Sequence, residues 1–387
     1  MTELARRTYL RWDVEGVEQV SETEAEDIKR VIELINESQR RIFDQSRHCF
    51  GGTHARTQGL VKGKLVVSDG LPPYLQQTEL FEKPGEFPVA CRYSSEPGDP
   101  SLDDRIPQPR GFTMKVFHVQ GKMMEGNPGV PTQDIEFNSA PAIELADART
   151  TREIVSLRLQ YGDEKEKLYK ALHQREDSDL QTARDKVPNL HLASLTWYSQ
   201  SAYRFGDFVI KYSLVPAPET LQTLRKAWKE IRGEQEQHNG QATSPKAEEA
   251  NGGFSVDPAR DSRDVLHRWL QKYHAEHEAQ FIFRVQLLED LHEQPVEYTG
   301  KVWDEAKFPW QEVARLIVPR QESFSAARRA FWEDHMRVDP WHGLETFRPL
   351  GSSNRLRKAL YPASSALRRK LNAREEIHVT SIAQIPD

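Results

Sequence analysis

The chain predicts an α+β architecture, in which runs of strands and runs of helices occupy separate stretches. Three observations predict it: β-rich sequence from about residue 57 to 138 and again over 192–217, amphipathic helical spacing before and between these runs, and one long helical segment near the end, 348–372. The first helix is marked by Thr23-x-x-Glu26, a candidate capping box, with Ile28, Val31, Ile35 and Ile42 at helical spacing. A long helical insertion is expected over 151–176. Leu221, Leu224, Trp228 and Ile231 mark another helix, and Val265, Leu266, Trp269, Leu270 and Tyr273 a further one. Between these two, residues 234–255 are rich in Gln, Gly, Ser, Ala and Glu and are expected to form a mobile surface loop.

Composition bounds the function. The chain has 387 residues, 37% of them hydrophobic, with 16 Phe, 8 Trp and 11 Tyr, ample for a large core and an apolar ligand slot. A formal net charge of −6 gives no electrostatic case for nucleic acid. No apolar run approaches the roughly 18 residues of a transmembrane helix, and the start MTELARRTYLRW lacks a secretory core. A cytoplasmic location is expected. Cys49 and Cys91 are too few for a disulfide framework and are expected to stay as thiols.

Two motifs near opposite ends of the chain carry the chemistry: Thr53-His54-Ala55-Arg56 and Arg357-Lys-Ala-Leu-Tyr361. A Tyr four positions after an Arg shares its helix face, and the guanidinium favours a phenolate able to hold ferric iron. Ser364 or Ser365 and Arg368 continue that face. In a strand over 90–95, Arg92 and Ser94 point one way while Cys91 and Tyr93 point the other. Taken singly, each feature has a plain structural reading: a turn histidine, a surface helix pair, a strand-edge charge. His274-x-x-His277 lacks a third metal ligand and is expected on a solvated helix face, and His342 is expected to be structural.

The ordered set THARTQGLVKGKLVV (53–67), ACRYSS (90–95), PRGFTMKVFHVQG (109–121), FIFRVQLL (281–288), KVWDEAKFPWQEVARLIVPRQ (301–321) and RPLGSSNRLRKALYPASSALRRKLN (348–372) resembles the haem catalase superfamily over most of residues 45–372. The resemblance implies a large antiparallel β-barrel with surrounding helices, and a haem b group between the barrel and a proximal helix. Within it Tyr361 would be the axial iron ligand supported by Arg357, His54 the distal acid/base, Ser94 its orienting partner, and Arg92 and Arg368 the propionate partners. The distal Asn is expected at Asn138, in Asn138-Ser-Ala-Pro141, with Asn127 as the alternative. The implied organisation is an N-terminal helical arm (1–48), a haem-binding barrel domain with the proximal helix (49–372) and a tail (373–387).

Two positions depart from the family pattern. Gly51 stands where catalases carry a propionate-binding Arg, so Arg47 or Arg56 would have to replace it. Thr53 stands where common catalases have Val. Thr53-His54 is similar to catalase-related allene oxide synthases and small catalase-like peroxidases, and its hydroxyl would compete for the bound oxygen or restrain the distal imidazole. The implied activity is a haem peroxidase or catalase acting on hydrogen peroxide or organic and fatty-acid hydroperoxides, with an organic electron donor, in a homo-oligomer. The alternatives are hydroperoxide rearrangement and a haem-free barrel holding an apolar ligand.

Overall fold

The computed structural model describes residues 7–96, 98–126, 129–162, 164–232 and 254–387. Nine strands form one antiparallel sheet: β1 (Arg56–Val67), β2 (Gly85–Ser95), β3 (Arg110–Phe117), β4 (Thr132–Asn138), β5 (Trp197–Tyr198), β6 (Tyr203–Phe205), β7 (Phe208–Pro216), β8 (Ala279–Leu287) and β9 (Gln311–Val318). Their order is β5-β4-β3-β2-β1-β9-β8-β7-β6, and a further pairing of β5 with β7 closes eight of them into a barrel. Closure removes the open edges that a sheet of this size would otherwise present.

Alternation of side chains fixes which residues fill the barrel. Tyr93, Phe112, Phe137, Trp197, Tyr212 and Phe283 point inward and are buried in one core, with Tyr93 and Phe112 ring centroids 4.8 Å apart at 64°. Their neighbours Arg92, Ser94, Gly111, Thr113, Glu136 and Asn138 are therefore on the outer face.

Eight helices surround the barrel among the described residues: α1 (Glu24–Ser46), α2 (Ala148–Tyr161), α3 (Lys165–His173), α4 (Ser178–Ala183), α5 (Pro218–Arg232), α6 (Val265–Glu276), α7 (Ala326–His335) and α8 (Ser352–Asn372). The predicted 151–176 insertion is thus two helices, α2 and α3, with the break beginning at Gly162. Helix α1 packs on α2 and α8, burying Val31, Leu34 and Ile35 against Ala148, Val155 and Leu356. Its expected capping box does not form: Thr23 Oγ1 donates to Asp27 Oδ2 at 2.9 Å and caps no backbone N–H.

Two other expectations are corrected. Most of the loop expected over 234–255 lies outside the described residues, but Phe254 is buried against Trp228 and Ser255 bridges Leu190, so its end belongs to the core. His274 is fully buried and not on a solvated face; helix α6 turns it toward Tyr93, 6.0 Å between ring centroids. Among the described residues no helix is long and apolar enough to cross a membrane.

Candidate functional site

Strand register builds the floor of the site. Arg92 on β2 is opposite Thr113 on β3, which is opposite Glu136 on β4; two residues along, Ser94, Gly111 and Asn138 form a second row. Helix α8 lies across this floor and brings Arg357, Tyr361, Ser364, Ser365 and Arg368 to the same cavity, of about 730 Å³. Both ends of the chain contribute, since Thr53 and His54 complete the wall. The volume falls in the range of sites that enclose a sizeable organic ligand.

His54 is held at three points. Its backbone sits in the left-handed region, φ 52°, rare for a residue with a Cβ, and its N–H donates to Glu96 O at 2.5 Å. Nδ1 lies 3.2 Å from Ser94 Oγ. Ser94 can donate its own proton to Gly111 O at 3.4 Å, which makes it the acceptor for Nδ1–H and leaves Nε2 as the basic nitrogen. Gly111 is required here, because a Cβ on it would stand 2.4 Å from Nδ1. Burial, then the guanidiniums of Arg92, Arg357 and Arg184, push the imidazole pKa down to about 3, so it is neutral at pH 7.

The loop before His54 is tied to the opposite wall. Gln39 Nε2 of α1 donates to Phe50 O at 2.8 Å and to Ser364 O at 3.3 Å, and Gly52 N–H donates to Ser364 Oγ at 3.3 Å. A Cβ on Gly52 would meet Ile35 Cγ2 at 2.5 Å. Helix α1 therefore links the His54 loop to the Tyr361 helix. Thr53 lines the cavity with its side chain exposed and makes no hydrogen bond to the imidazole among the described residues. Ser94 is the imidazole's partner instead.

Asn138 also lines the cavity. Its Oδ1 accepts from Ala140 N–H at 3.0 Å, which closes a local turn, and its amide N–H groups make no hydrogen bond among the described residues. Asn127 lies outside the described residues.

Three guanidiniums face the cavity without an ion pair among the described residues. Arg92 donates to Thr57 Oγ1 at 3.0 Å and His54 O at 2.6 Å. Arg357 donates to Ser201 Oγ at 3.0 Å and Asn354 Oδ1 at 2.9 Å. Arg368 donates to Met336 O at 2.8 Å, and its buried Nε has no partner. Half-buried cations facing a cavity without a counter-charge favour an anionic ligand. A phenol oxygen beside them supplies a metal donor, so the residues present fit a metal-bearing group with carboxylates. Neither Arg47 nor Arg56 joins them: Arg47 is exposed at the end of α1, and Arg56 is paired with Asp104 at 3.3 Å.

The sequence reading missed Glu136. The Tyr361 phenol donates to Glu136 Oε2 at 2.8 Å. Burial and the nearby Glu136 outweigh Arg357, so the phenol pKa is raised and the phenolate expected from the Arg-Tyr spacing is not the resting form. Glu136 was two residues before Asn138 on one strand face, and that alternation was the available signal. Also missed was a charged wall beyond His54: Glu144 accepts from both Arg158 and Arg184 at 2.8 Å, and Arg184 reaches Glu96 at 3.1 Å. His342 lies in a second cavity, of about 380 Å³, and its carbonyl accepts from Asp134 N–H at 2.9 Å.

No protein-family model and no curated protein sequence matches the chain. Solved structures do. A fungal catalase matches with a TM-score of 0.54 at 15% identity over 84% of this chain and 60% of that one. Catalase A from Saccharomyces cerevisiae gives 0.54 at 15% over 85% and 63%, and a bacterial catalase 0.58 at 14% over 98% and 70%. The chain thus spans 60% and 63% of the first two. At such identities the likeness concerns architecture, and on that level the conclusion is plain: this chain has the catalase fold.

Proposed function

We propose that the protein is a haem-dependent oxidoreductase that breaks down peroxides, of catalase or peroxidase type. The observation that carries this reading is the convergence of His54, held by Ser94, with Tyr361 and three unneutralised arginines on one cavity. Tyr361 would hold the iron, and Arg92 and Arg368 the two propionates. Haem, when bound, supplies an iron centre at which a peroxide O–O bond can be cleaved.

The chain's own residues then move the protons. His54 Nε2, neutral at pH 7, accepts a proton from the peroxide and returns it to the departing oxygen, which leaves as water or alcohol. Ser94 keeps Nδ1–H in place during both transfers. The free amide N–H of Asn138 orients a peroxide oxygen. Arg357 offsets negative charge on Tyr361 once the phenol has lost its proton.

A second reading is supported by the Tyr361–Glu136 hydrogen bond, which engages the ligand oxygen in the free chain: a haem-free barrel whose outer cavity takes an apolar molecule. One experiment separates the two. A tyrosinate-haem absorption spectrum is expected on haem supplementation and is expected to be lost in Tyr361→Phe; no Soret band in the wild type leaves the haem-free reading. Hydrogen peroxide and then linoleate hydroperoxide are added to the same sample. Gas evolution indicates dismutation, and turnover of the lipid alone indicates the hydroperoxide branch.

A further inference from the structure

Another part of the same cavity, a second lobe, is lined by the 98–109 segment and by α2, α3 and α4. Its walls combine aliphatic side chains, Leu102, Ile106, Leu168 and Leu172 among them, with polar ones such as Thr151, Lys165 and Gln181. Polar groups of this lobe with unused hydrogen-bonding capacity include Glu96 and Gln108. Glu96 gives Oε2 to Arg184 at 3.1 Å, while its Oε1 accepts nothing among the described residues. Gln108 lines the cavity at 6% exposure, and its side-chain amide makes no hydrogen bond among the described residues. The backbone joins the end of β2 to the start of β3 at this wall, as Glu96 N–H donates to Pro109 O at 3.3 Å. The lobe opens beside the distal imidazole, because His54 N–H donates to Glu96 O.

We infer that this lobe is a binding site for a neutral phenolic reductant, anchored through its O–H by Glu96 and Gln108. An all-apolar ligand, such as a bare alkyl chain, would bury the free carboxylate oxygen without a donor, which is costly. A carboxylate ligand finds no free guanidinium there, since Arg158 and Arg184 are already paired with Glu144 and Glu96, and the other cation of this wall, Lys165, is exposed to solvent. A flat apolar body carrying an O–H group suits both the aliphatic side chains of the walls and the open acceptor. The inference rests on the peroxidase form of the proposed function, in which it supplies the electrons. One hydroperoxide and two phenols give one alcohol, one water and two phenoxyl radicals: each phenol loses one electron and one proton, and the O–O bond takes up both pairs.

The test is calorimetric titration of 2-methoxyphenol into the purified protein, against 1,2-dimethoxybenzene, which lacks the O–H. Binding of the phenol is expected to be at least about tenfold tighter than that of its methyl ether. Gln108→Leu, which removes no existing hydrogen bond, is expected to weaken the phenol about fivefold and leave the ether unchanged. Ile106→Trp, at an exposed lobe position, is expected to block both. Equal affinity for phenol and ether, or phenol affinity unmoved by both variants, overturns the site. Binding is read without haem absorbance, so a missing Soret band sinks the proposed function separately, whereas a normal haem spectrum without phenol binding sinks only this inference.

Discussion

Tyr361 Oη and Glu136 Oε2 are 2.8 Å apart, a phenol donating to a half-buried carboxyl group on the strand opposite its helix. Burial pushes the Glu136 pKa up to about 8, against the opposing pull of Arg357 and of the Tyr361 hydrogen bond. Between the ordinary value of 4.5 and about 8 the unfolded chain has lost this proton while the folded chain keeps it. The folded state therefore binds more protons in that window, and stability falls as pH rises through it. Glu136→Gln is expected to remove this slope in the haem-free protein. Thermal unfolding of both proteins across the window checks it, and parallel curves would contradict the assignment.

Gly111→Ala probes the other side of the cavity. The added Cβ would stand 2.4 Å from His54 Nδ1 and 2.8 Å from Ser94 Oγ, so the imidazole must shift. Peroxide turnover is expected to drop roughly 10–100-fold, the scale of a misplacement of about 1 Å. Haem uptake, which in the proposed function rests on Tyr361 of α8, is expected to persist in the absorption spectrum.

His54 predicts an unusual acid limb. With its pKa pushed down from 6.5 to about 3, the imidazole stays neutral through the range in which a solvated histidine would charge. The unfolded chain takes up this proton first, so stability is complete above 6.5 and is lost as pH falls toward 3. Peroxide turnover should lack a limb with a midpoint between about 6 and 7 attributable to this group. A wild-type limb there that disappears in His54→Gln would show a solvent-like imidazole instead.

Arg184 bridges two carboxylates, Glu96 and Glu144. Arg184→Met leaves Glu96 without its cation, although Glu144 retains Arg158. Breaking a largely buried pair of this kind is expected to cost about 3 kcal/mol, measurable by urea unfolding. A loss below about 1 kcal/mol would mean the network is solvated and contributes little.

Much of the site was legible because its parts follow local periodicity. Strand alternation placed Arg92 and Ser94 on one face, and helical spacing placed Arg357, Tyr361 and Arg368 on another; both faces meet at the cavity. Two residues read as candidates behave differently from expectation. Thr53 makes no hydrogen bond to the imidazole, and Arg56 is spent on Asp104, whose burial is set by α6 and β1 far from it in sequence. His274 was misplaced for a related reason: its helix is amphipathic, yet a His among Trp269, Leu270 and Tyr273 reads as polar until the barrel end that covers it is known.

By itself the sequence determined the strand and helix runs, the two motif faces and the resemblance that joined them, because each depends on spacing within one element. Only the tertiary structure decided that Glu136 meets Tyr361, that Glu96, Glu144, Arg158 and Arg184 form one network, and that Gln39 ties the His54 loop to α8. These contacts join residues distant in the chain through barrel closure and helix packing, and no local periodicity encodes which partner a side chain will meet across that distance.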